Sequence, residues 1–420
     1  MKVQGIHVRL NLALGLAIAT ATALYFISSN ESATSGRDIA RTSLTEALPP
    51  VFTDAGPEPL LVHIFTEIEN NRLERALART EQLLTAYPNF RLGHLIMGDL
   101  LLARARPLTR FGQGGEESSR SQVADLRDEA IVRLRGYQTK PPTDTIPRYL
   151  TQMSAGQKYA VVVDTQKSRL YLYQNDDGRP RFVADYYVTQ GKLGAEKTRE
   201  GDKRTPIGVY HVTANLPKDK LSDLYGSGAF PLNYPNEWDK RQGRDGHGIW
   251  LHGTPSDTFS RPPKASDGCV VLTNQDLNKV AKNLQVGLTP VIISNSVEWL
   301  SLDDWQNERS ELREVFDNWR SDWESRDMKR YSAHYSKRFA SEKQDYTAWM
   351  DQKQRVNAGK EWIKVEADNI SMFRNPGREE YVVISFEQDY KSNNLSNQMR
   401  KRQYWAREDG QWKIIYEGAA

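Results

Sequence analysis

The chain has 420 residues, of which 38% are hydrophobic and 26% are charged, a composition typical of folded rather than disordered proteins. This length predicts two or three domains, each with its own core. The 57 Lys and Arg residues against 54 Asp and Glu residues leave a formal charge of +3 without a long basic run, so no nucleic-acid partner is predicted.

The first thirty residues have the pattern of an export signal. Lys2 and Arg9 precede an apolar run over residues 12–27, and a basic segment before an apolar one is typical of exported proteins. The rest of the chain is therefore predicted to lie in the periplasm. Two fates of residues 1–30 stay open: a cleaved signal, for which Ala21-Thr22-Ala23 has the small-x-small pattern, and a retained inner-membrane anchor.

The next part of the chain is predicted to be a linker followed by a helical region that ends near residue 150. Ser, Thr, Gly and Pro without periodicity indicate a linker over residues 31–59. Apolar residues at helical spacing over 60–106, interrupted at 87–90, predict one helix-turn-helix hairpin of the tetratricopeptide type, and a further helix is predicted at 123–134. The region 60–150 has two alternative roles: homodimerisation or docking through its helices, and a cap packed on the next domain.

Residues 151–298 have the pattern of a β-rich domain with a mostly antiparallel sheet. Three runs rich in Val, Tyr and Leu over 159–191, joined by short polar turns, predict two adjoining hairpins. The long aromatic segment 216–245 lacks regular patterning and is predicted to be a lid beside a site. Further strands are predicted at 209–213, 248–252, 270–272 and 289–294, with a helix at 274–284.

Residues 302–420 are predicted to form an α+β domain with one curved sheet. One or two amphipathic helices over 312–339 precede four strand candidates. The aromatic face of these helices is predicted to be core rather than a binding site. Two roles stay open for the domain: a pocket in the curved sheet that binds glycan or peptide, and a non-catalytic module that packs on the preceding domain. The helical face comprises Val315, Phe316, Trp319, Trp323, Met328, Tyr331 and Tyr335, and the strand candidates are 363–374, 381–391, 398–408 and 411–418.

Cys269 is the only cysteine of the chain and the main candidate for a catalytic group. Ser266, Asp267 and Gly268 precede it and predict a tight turn rather than the buried position that is usual for a free cysteine. His252 ends one predicted strand and Cys269 begins the next, so the two can meet at the mouth of the intervening loop. The imidazole would act as base and lower the thiol pKa from about 8.5. The backbone N–H groups of Gly268 and Cys269 are candidate oxyanion donors.

An alternative from another class is a metal-dependent hydrolase that uses His247, His252 and Cys269. The spacing of the two histidines does not place both on one face of a strand, and the chain has no HExxH or CxxC motif. Neither a metal ion nor another cofactor is therefore predicted.

The His-Gly pair at 252–253, followed by Ser266-Asp267-Gly268-Cys269, resembles the signature of the YkuD-type L,D-transpeptidases, in which His-Gly precedes S/T-x-G-C by a short loop. The similarity extends over residues 157–295, where GDKRTPIGVY, Tyr225-Gly226 and GIWLHGTP look like the YafK-like branch of that family. The resemblance implies a mostly-β fold and a thioester formed on Cys269. The implied substrate is a peptidoglycan stem peptide, attacked at the carbonyl of the diamino acid before a terminal D-alanine.

The same resemblance implies a role for three residues of the motif. Cys269 would be the nucleophile, His252 its base, and the carbonyl of Gly253 the acceptor that orients the imidazole. Asp267 departs from the commoner S-H-G-C motif, which has a second histidine at this position. The departure leaves the base in place but changes the charge beside the thiol.

The arginine that often follows the cysteine in this family is missing, since Val271 and Leu272 occupy that region. Recognition of the substrate carboxylate is therefore assigned to Arg204 or Lys264. The residues predicted to bind substrate are Arg204, Thr205, Trp250, Thr254, Ser266 and Asp267.

The order of a helical part, a YkuD-like domain and a C-terminal module of the NTF2/SnoaL type is also similar to the L,D-carboxypeptidases of helical bacteria, which trim tetrapeptides to tripeptides. An amine releases the thioester in a transpeptidase, whereas water releases it in a carboxypeptidase or an L,D-endopeptidase. The resemblance favours L,D-transpeptidation in cell-wall remodelling, with the two hydrolytic reactions as alternatives. A non-catalytic wall-binding scaffold is the alternative from another class, and a protein or lipoprotein acceptor also stays open.

Overall fold

The computed structural model describes residues 56–113 and 119–420. The predicted export signal and most of the predicted linker lie outside these ranges. Within them, no helix combines the length and the apolar character needed to cross a membrane.

The N-terminal part is helical, as predicted, but it is divided differently. Its helices are α1 (Glu58–Glu69), α2 (Leu73–Ala86), α3 (Arg91–Ala103) and α4 (Arg120–Gln138). The described stretch up to residue 103 therefore holds three helices instead of a hairpin of two. The additional break lies between α1 and α2, where Asn71 adopts a left-handed backbone with φ of 57°, a conformation that asparagine tolerates better than most residues.

The next part of the chain is β-rich, as predicted. Its strands are β1 (Thr145–Pro147), β2 (Tyr159–Asp164), β3 (Arg169–Asp176), β4 (Arg179–Tyr187), β5 (Gln190–Gly191), β6 (Gly208–His211), β7 (Leu216–Pro217), β8 (Gly228–Pro231), β9 (Trp250–His252), β10 (Lys264–Ser266), β11 (Val270–Val271), β12 (Pro290–Ser294) and β13 (Trp299–Ser301), with helices α5 (Glu237–Arg241) and α6 (Asn274–Ala281). One sheet has the order β4-β3-β2-β12-β6 and another has the order β11-β9-β8-β7. The strand pairs of these two sheets are antiparallel except for β2 with β12 and β9 with β11.

The segment 216–245 is not the irregular lid that its sequence predicts. It contains β7, β8 and α5, and β8 pairs with β9 so that Ala229 lies opposite His252. Ala229 and Phe230 are both buried, although they point to opposite faces of the strand. A strand that is buried on both faces has no polar alternation, and this is why the pattern does not reveal it.

The C-terminal part is an α+β domain, as predicted. Its elements are α7 (Leu302–Glu324), α8 (Met328–Ala333), α9 (Tyr346–Ala358), β14 (Ile363–Arg374), β15 (Tyr381–Ser392), β16 (Leu395–Glu408) and β17 (Gln411–Ala419). The four strands form one antiparallel sheet in chain order. Trp319, Trp323 and Tyr331 of the predicted aromatic face are buried in a cluster with Phe386 and Trp405 of the sheet, which agrees with their assignment to the core. The pocket in the sheet stays a prediction.

The C-terminal sheet and the preceding β-rich domain share one apolar core. Trp238 of α5 stacks on Tyr404 of β16, with ring centroids 5.4 Å apart. Val162 of β2 and Phe373 of β14 belong to the same buried cluster. Removal of residues 302–420 would therefore expose core side chains of the β-rich domain to water. The C-terminal domain therefore packs on the β-rich domain and forms one folded unit with it.

His211 makes the stability of this interface dependent on pH. It lines a small cavity at the interface, and its burial, assisted by the positive charge of Arg402, lowers its pKa from the ordinary 6.5 to about 4. Between these two pH values the unfolded chain takes up a proton that the folded chain does not. Stability that is present above pH 6.5 is therefore lost as the pH falls, by up to roughly 3 kcal/mol at pH 4.

We expect urea unfolding to show this loss as a difference between variants. Between pH 7 and pH 4.5, the wild-type protein should lose more free energy of unfolding than the His211→Gln protein. The exposed His247 provides the matched control, because His247→Gln should follow the wild type. An equal loss in wild type and His211→Gln would contradict the prediction.

Candidate active site

Two neighbouring parallel strands bring His252 and Cys269 to one face of a sheet. In the register of β9 and β11, Val270 lies opposite Leu251 and Val271 lies opposite His252, so Cys269 comes opposite Trp250. Side chains alternate between the faces of a strand, and Trp250, His252 and Cys269 therefore share one face. Leu251 and Val270 point the other way into the core, where both are fully buried.

The imidazole of His252 has a defined orientation and tautomer. The ring is buried, and its Nδ1 lies 2.7 Å from the carbonyl oxygen of Gly253. A carbonyl oxygen only accepts hydrogen bonds, so Nδ1 carries the proton and the lone pair is on Nε2. The ring edge also packs against Tyr225, with ring centroids 5.1 Å apart. His252 is thus held as a neutral base whose Nε2 is available.

The thiol of Cys269 is partly accessible and donates its hydrogen bond to a carbonyl. Its Sγ lies 3.2 Å from the carbonyl oxygen of Gly248, at the other end of the same short segment that carries His252. In an unliganded active site the contact between nucleophile and base is often loose and tightens only with substrate. The geometry therefore corresponds to a resting thiol.

The pKa values of the pair differ from the sequence-based expectation. The imidazole was expected to lower the thiol pKa, but burial raises the pKa of Cys269 to about 11, against the opposing effects of the Trp250 N–H group and the charge of Arg261. Burial lowers the pKa of His252 to about 4. Both groups are therefore neutral at pH 7, because a charge on either would lose its hydration. Nucleophilic attack from this state requires His252 to accept the thiol proton during the attack.

This protonation state predicts an unusual pH profile. Activity should stay nearly constant from pH 9 down to about pH 5 and fall only as His252 takes up a proton near its pKa of about 4. A base with the ordinary pKa of about 6.5 would lose about nine tenths of the activity by pH 5.5. The measurement is kcat/KM from pH 4.5 to 9, with circular dichroism at each pH to confirm folding.

Alkylation of Cys269 by iodoacetamide provides an independent measurement. Because only the thiolate reacts, its rate should still be rising at pH 10, below the thiol pKa of about 11. A plateau of the alkylation rate between pH 6 and 8 would instead mean that the resting state is a thiolate–imidazolium pair.

The turn before the nucleophile is locked by hydroxyl groups. The N–H group of Gly268 donates to Ser266 Oγ at 3.1 Å, and Ser266 Oγ donates to the carbonyl oxygen of Cys269 at 2.6 Å. Thr205 Oγ1 donates to the carbonyl oxygen of Gly268 at 2.9 Å. Gly268 has φ of 133°, and a Cβ there would lie 2.8 Å from the carbonyl oxygen of Arg204. Only glycine fits this conformation and this contact.

One of the two predicted oxyanion donors already has a partner within this turn. The N–H group of Gly268 is occupied by Ser266 Oγ, because the same tight turn that exposes the thiol folds this donor back on the loop. The N–H group of Cys269 has no hydrogen-bond partner within residues 56–113 and 119–420. It is the donor that remains for a developing oxyanion.

Comparison with known families identifies two parts of the chain. Residues 158–293 match the YkuD family, the L,D-transpeptidase catalytic domain. The chain carries a YkuD catalytic domain. Residues 311–418 match the Cds6 C-terminal NTF2-like domain. The sequence-based recognition of both domains is confirmed.

Proteins similar to this chain include three from different bacteria. YafK of Escherichia coli (strain K12), a candidate L,D-transpeptidase, is 26% identical over 140 residues, which are 33% of this chain and 52% of YafK. The chain thus spans about half the length of this relative. The structure of Bd1075 from Bdellovibrio bacteriovorus is 28% identical with a TM-score of 0.60, over 66% of this chain and 98% of Bd1075. The helical cell shape determining protein Pgp2 from Campylobacter jejuni is 26% identical with a TM-score of 0.56, over 65% of this chain and 95% of Pgp2.

Three of the residues predicted to bind substrate in the YkuD domain are buried instead. Thr205, Thr254 and Ser266 are each at most 3% exposed. Their hydroxyl groups donate to backbone carbonyls, and Thr254 Oγ1 reaches that of Phe259 at 3.2 Å. These three hold the loops around the thiol in place, and their contact with substrate stays a prediction.

The other three residues predicted to bind substrate, Arg204, Asp267 and Trp250, are not buried. The Arg204 guanidinium donates to the carbonyl oxygen of Ala195 at 2.9 Å, so it is already engaged. Asp267 is 74% exposed and lies 3.5 Å from the Lys192 ammonium group. Trp250 is half-buried beside the thiol and packs on Tyr225, with ring centroids 4.7 Å apart. Trp250 and Asp267 stay candidates for substrate contact.

The ligands of the alternative metal site do not come together. His247 is exposed, and its Nδ1 lies 3.6 Å from a carboxylate oxygen of Glu200, whereas His252 is buried. In the described part of the chain, no three His, Cys, Asp or Glu side chains form a group that could hold a metal ion. The side chains that surround Cys269 therefore offer acid–base chemistry and hydrogen bonds.

Sequence reasoning missed two residues that shape the site. Asn274 Oδ1 accepts from the Ser227 N–H group at 2.8 Å, and its Nδ2 donates to the carbonyl oxygen of Thr254 at 2.8 Å. This amide joins the two loops on either side of His252, but in the sequence it is merely the start of a helix. Arg261 lies near His252 and Cys269. The sequence could have pointed to it, since it is the only arginine between these two residues.

Proposed function

We propose that the protein is a cysteine-dependent acyl-transfer enzyme that acts on peptidoglycan stem peptides in the periplasm. The observation that carries the proposal is the hydrogen bond from His252 Nδ1 to the Gly253 carbonyl, which leaves Nε2 as a base on the face that holds Cys269. The match to the L,D-transpeptidase catalytic domain supplies the substrate class. Neither a buried structural cysteine nor a scaffold needs this arrangement.

The first half-reaction forms a thioester. Nε2 of His252 takes the proton of the Cys269 thiol while Sγ attacks the carbonyl carbon of the diamino acid that precedes the terminal D-alanine. The carbonyl oxygen becomes an oxyanion that the N–H group of Cys269 can stabilise. The tetrahedral intermediate collapses, the C–N bond breaks, and His252 returns the proton to the departing amine of D-alanine.

The second half-reaction releases the acyl group. A water molecule or an amine gives a proton to His252 as it attacks the thioester, and the C–S bond breaks as the thiolate regains its proton. Water yields a tripeptide, and an amine yields an exchanged or cross-linked peptide. Both routes use the same side chains, so the identity of the acceptor depends on what enters the site.

We propose water as the principal acceptor, which makes the protein an L,D-carboxypeptidase. Support comes from the structural similarity to the cell shape determining protein Pgp2, which covers 95% of that chain. The order of helical, YkuD and NTF2-like parts is also that of the L,D-carboxypeptidases of helical bacteria. L,D-transpeptidation is the second candidate, because the catalytic domain belongs to the family named for that reaction.

Mass analysis of one reaction separates the two candidates. The full-length protein is incubated with a disaccharide tetrapeptide, with and without an added D-amino acid. A tripeptide as the main product in both reactions would support the carboxypeptidase. Exchange of the terminal D-alanine for the added D-amino acid would support the transpeptidase, and the absence of any product in both reactions would contradict the proposed function.

A further inference from the structure

One cation beside the catalytic pair has no partner of its own. Arg261 lies in the loop between β9 and β10, half-buried, and its charge acts on both Cys269 and His252. Within residues 56–113 and 119–420, no side chain or carbonyl group forms a hydrogen bond or an ion pair with its guanidinium group. An arginine in this position keeps all five of its N–H donors for a ligand or for water.

The backbone of Arg261 is held firmly although its side chain is not. Its carbonyl oxygen accepts from the Tyr187 hydroxyl at 2.8 Å and from Thr189 Oγ1 at 2.9 Å. The preceding Ser260 donates to the buried carboxylate of Glu129 at 2.6 Å. These bonds fix the backbone from which the side chain extends. Binding of a ligand therefore costs little conformational entropy in this loop.

The neighbouring phenylalanine adds an apolar anchor to the same loop. Phe259 packs edge to face on Phe90, with ring centroids 5.0 Å apart. Its N–H group also donates to the carbonyl oxygen of Asn89 at 3.2 Å. The loop is thus attached at Phe259, at Ser260 and at the Arg261 carbonyl, which fixes the backbone from which the guanidinium group extends.

Three other cations near the motif loops already have partners. Lys197 is buried and bonds the carboxylate of Asp202 and the carbonyl oxygen of Arg199, at 2.9 and 2.8 Å. Arg204 bonds a backbone carbonyl, and Lys192 pairs with Asp267. Arg261 and Lys197 both act on Cys269 by their charge, and of these two only the Arg261 side chain is without a hydrogen bond or ion pair within residues 56–113 and 119–420.

We propose that Arg261 is the specificity-determining residue that binds a carboxylate of the stem peptide next to the scissile bond. The inference rests on the proposed function for the identity of the ligand. A guanidinium group matches a carboxylate with two parallel N–H···O bonds, which fixes direction as well as affinity. Arg261 thus takes the role of the arginine that is missing after the nucleophile, from a different position in the chain.

Two carboxylates of a tetrapeptide lie near the scissile bond. One is the terminal carboxylate of D-alanine, and the other is the side-chain carboxylate of the diamino acid. They share the same chemistry, so replacement of each by an amide distinguishes them.

The test measures binding without turnover. Calorimetric titration of the full-length Cys269→Ala protein uses three ligands: the tetrapeptide, its D-alanine amide and its diamino-acid amide. We expect Arg261→Gln, added to Cys269→Ala, to weaken binding of the tetrapeptide by about 10- to 100-fold. For the amide that removes the bound carboxylate, Arg261→Gln should have no further effect. Arg261→Lys should recover only part of the loss, because lysine keeps the charge but not the two parallel donors.

The controls separate recognition from a general effect of charge. Arg179 at the start of β4 is exposed, and Arg179→Gln removes the same charge from the same domain with no expected change in affinity. Equal weakening of all three ligands by Arg261→Gln, no weakening at all, or no binding by the Cys269→Ala protein would overturn the inference. Turnover by the wild type, measured separately, reports on the proposed function and not on Arg261.

Discussion

Replacement of Cys269 by alanine is expected to lower turnover of a disaccharide tetrapeptide by at least about 10⁴-fold. The reason is that the chain contains no other cysteine, and the thioester cannot form on any other side chain of this kind. Mass analysis of the acid-quenched protein should show the acyl adduct on the wild type and none on Cys269→Ala. Product formation is measured in the same samples.

The Cys269→Ala protein should remain folded, which makes the result interpretable. The thiol contributes only hydrogen bonds to neighbouring backbone groups, such as that to the carbonyl oxygen of Gly248, and the Val270 that follows remains in the core. Near-UV circular dichroism and the thermal midpoint are the controls. A Cys269→Ala protein with more than about a hundredth of wild-type turnover would rule out covalent catalysis at this residue.

Replacement of Gly253 by alanine is expected to have the second largest effect. A Cβ at Gly253 would lie 2.1 Å from Asn274 Oδ1 and 3.1 Å from the Ser227 nitrogen, so the Asn274 amide must shift, and its hydrogen bond to the Thr254 carbonyl would move the segment that follows His252 with it. The carbonyl oxygen that orients the imidazole belongs to the residue that moves. Displacement of a catalytic group by about 1 Å costs about 100-fold in rate, and overpacking costs about 1–3 kcal/mol of stability.

The measurement is kcat/KM together with the free energy of unfolding in urea. Gly156→Ala provides a matched control, since a Cβ there meets no atom within 4 Å, and it should change neither quantity. The Asn274 oxygen makes the closest contact. The double variant Gly253→Ala/Asn274→Ala should therefore lose less free energy of unfolding than the sum of the losses in the two single variants. Additive losses in the double variant would mean that this contact is not the cause.

Much of the fold could be predicted because its signals are local. The hairpins of β2, β3 and β4 follow from short runs of Val, Tyr and Leu with polar turns between them. The aromatic side chains of α7 and α8 repeat at helical spacing, and they pack as core. Where local signals conflict with tertiary burial, as in β8, the prediction failed.

The candidate site could be predicted only in part, for a related reason. Cys269 and His252 could be proposed because the turn and the two strands that carry them are close in the chain. The role of Thr205 was not found, because its hydroxyl reaches Gly268 over a separation of 63 positions. A polar side chain in a motif region can bind either substrate or backbone, and only the folded structure distinguishes the two.

Residue types and their spacing along the chain were enough to recognise the two domains and to propose Cys269 and His252 as nucleophile and base. The tertiary structure decided which polar groups are free. It engages Arg204 and the Gly268 N–H group, leaves the Arg261 side chain unpaired among the described residues, and makes His252 and Cys269 neutral. These properties arise from burial and from contacts between distant segments of the chain. Both burial and these contacts form only when the chain folds.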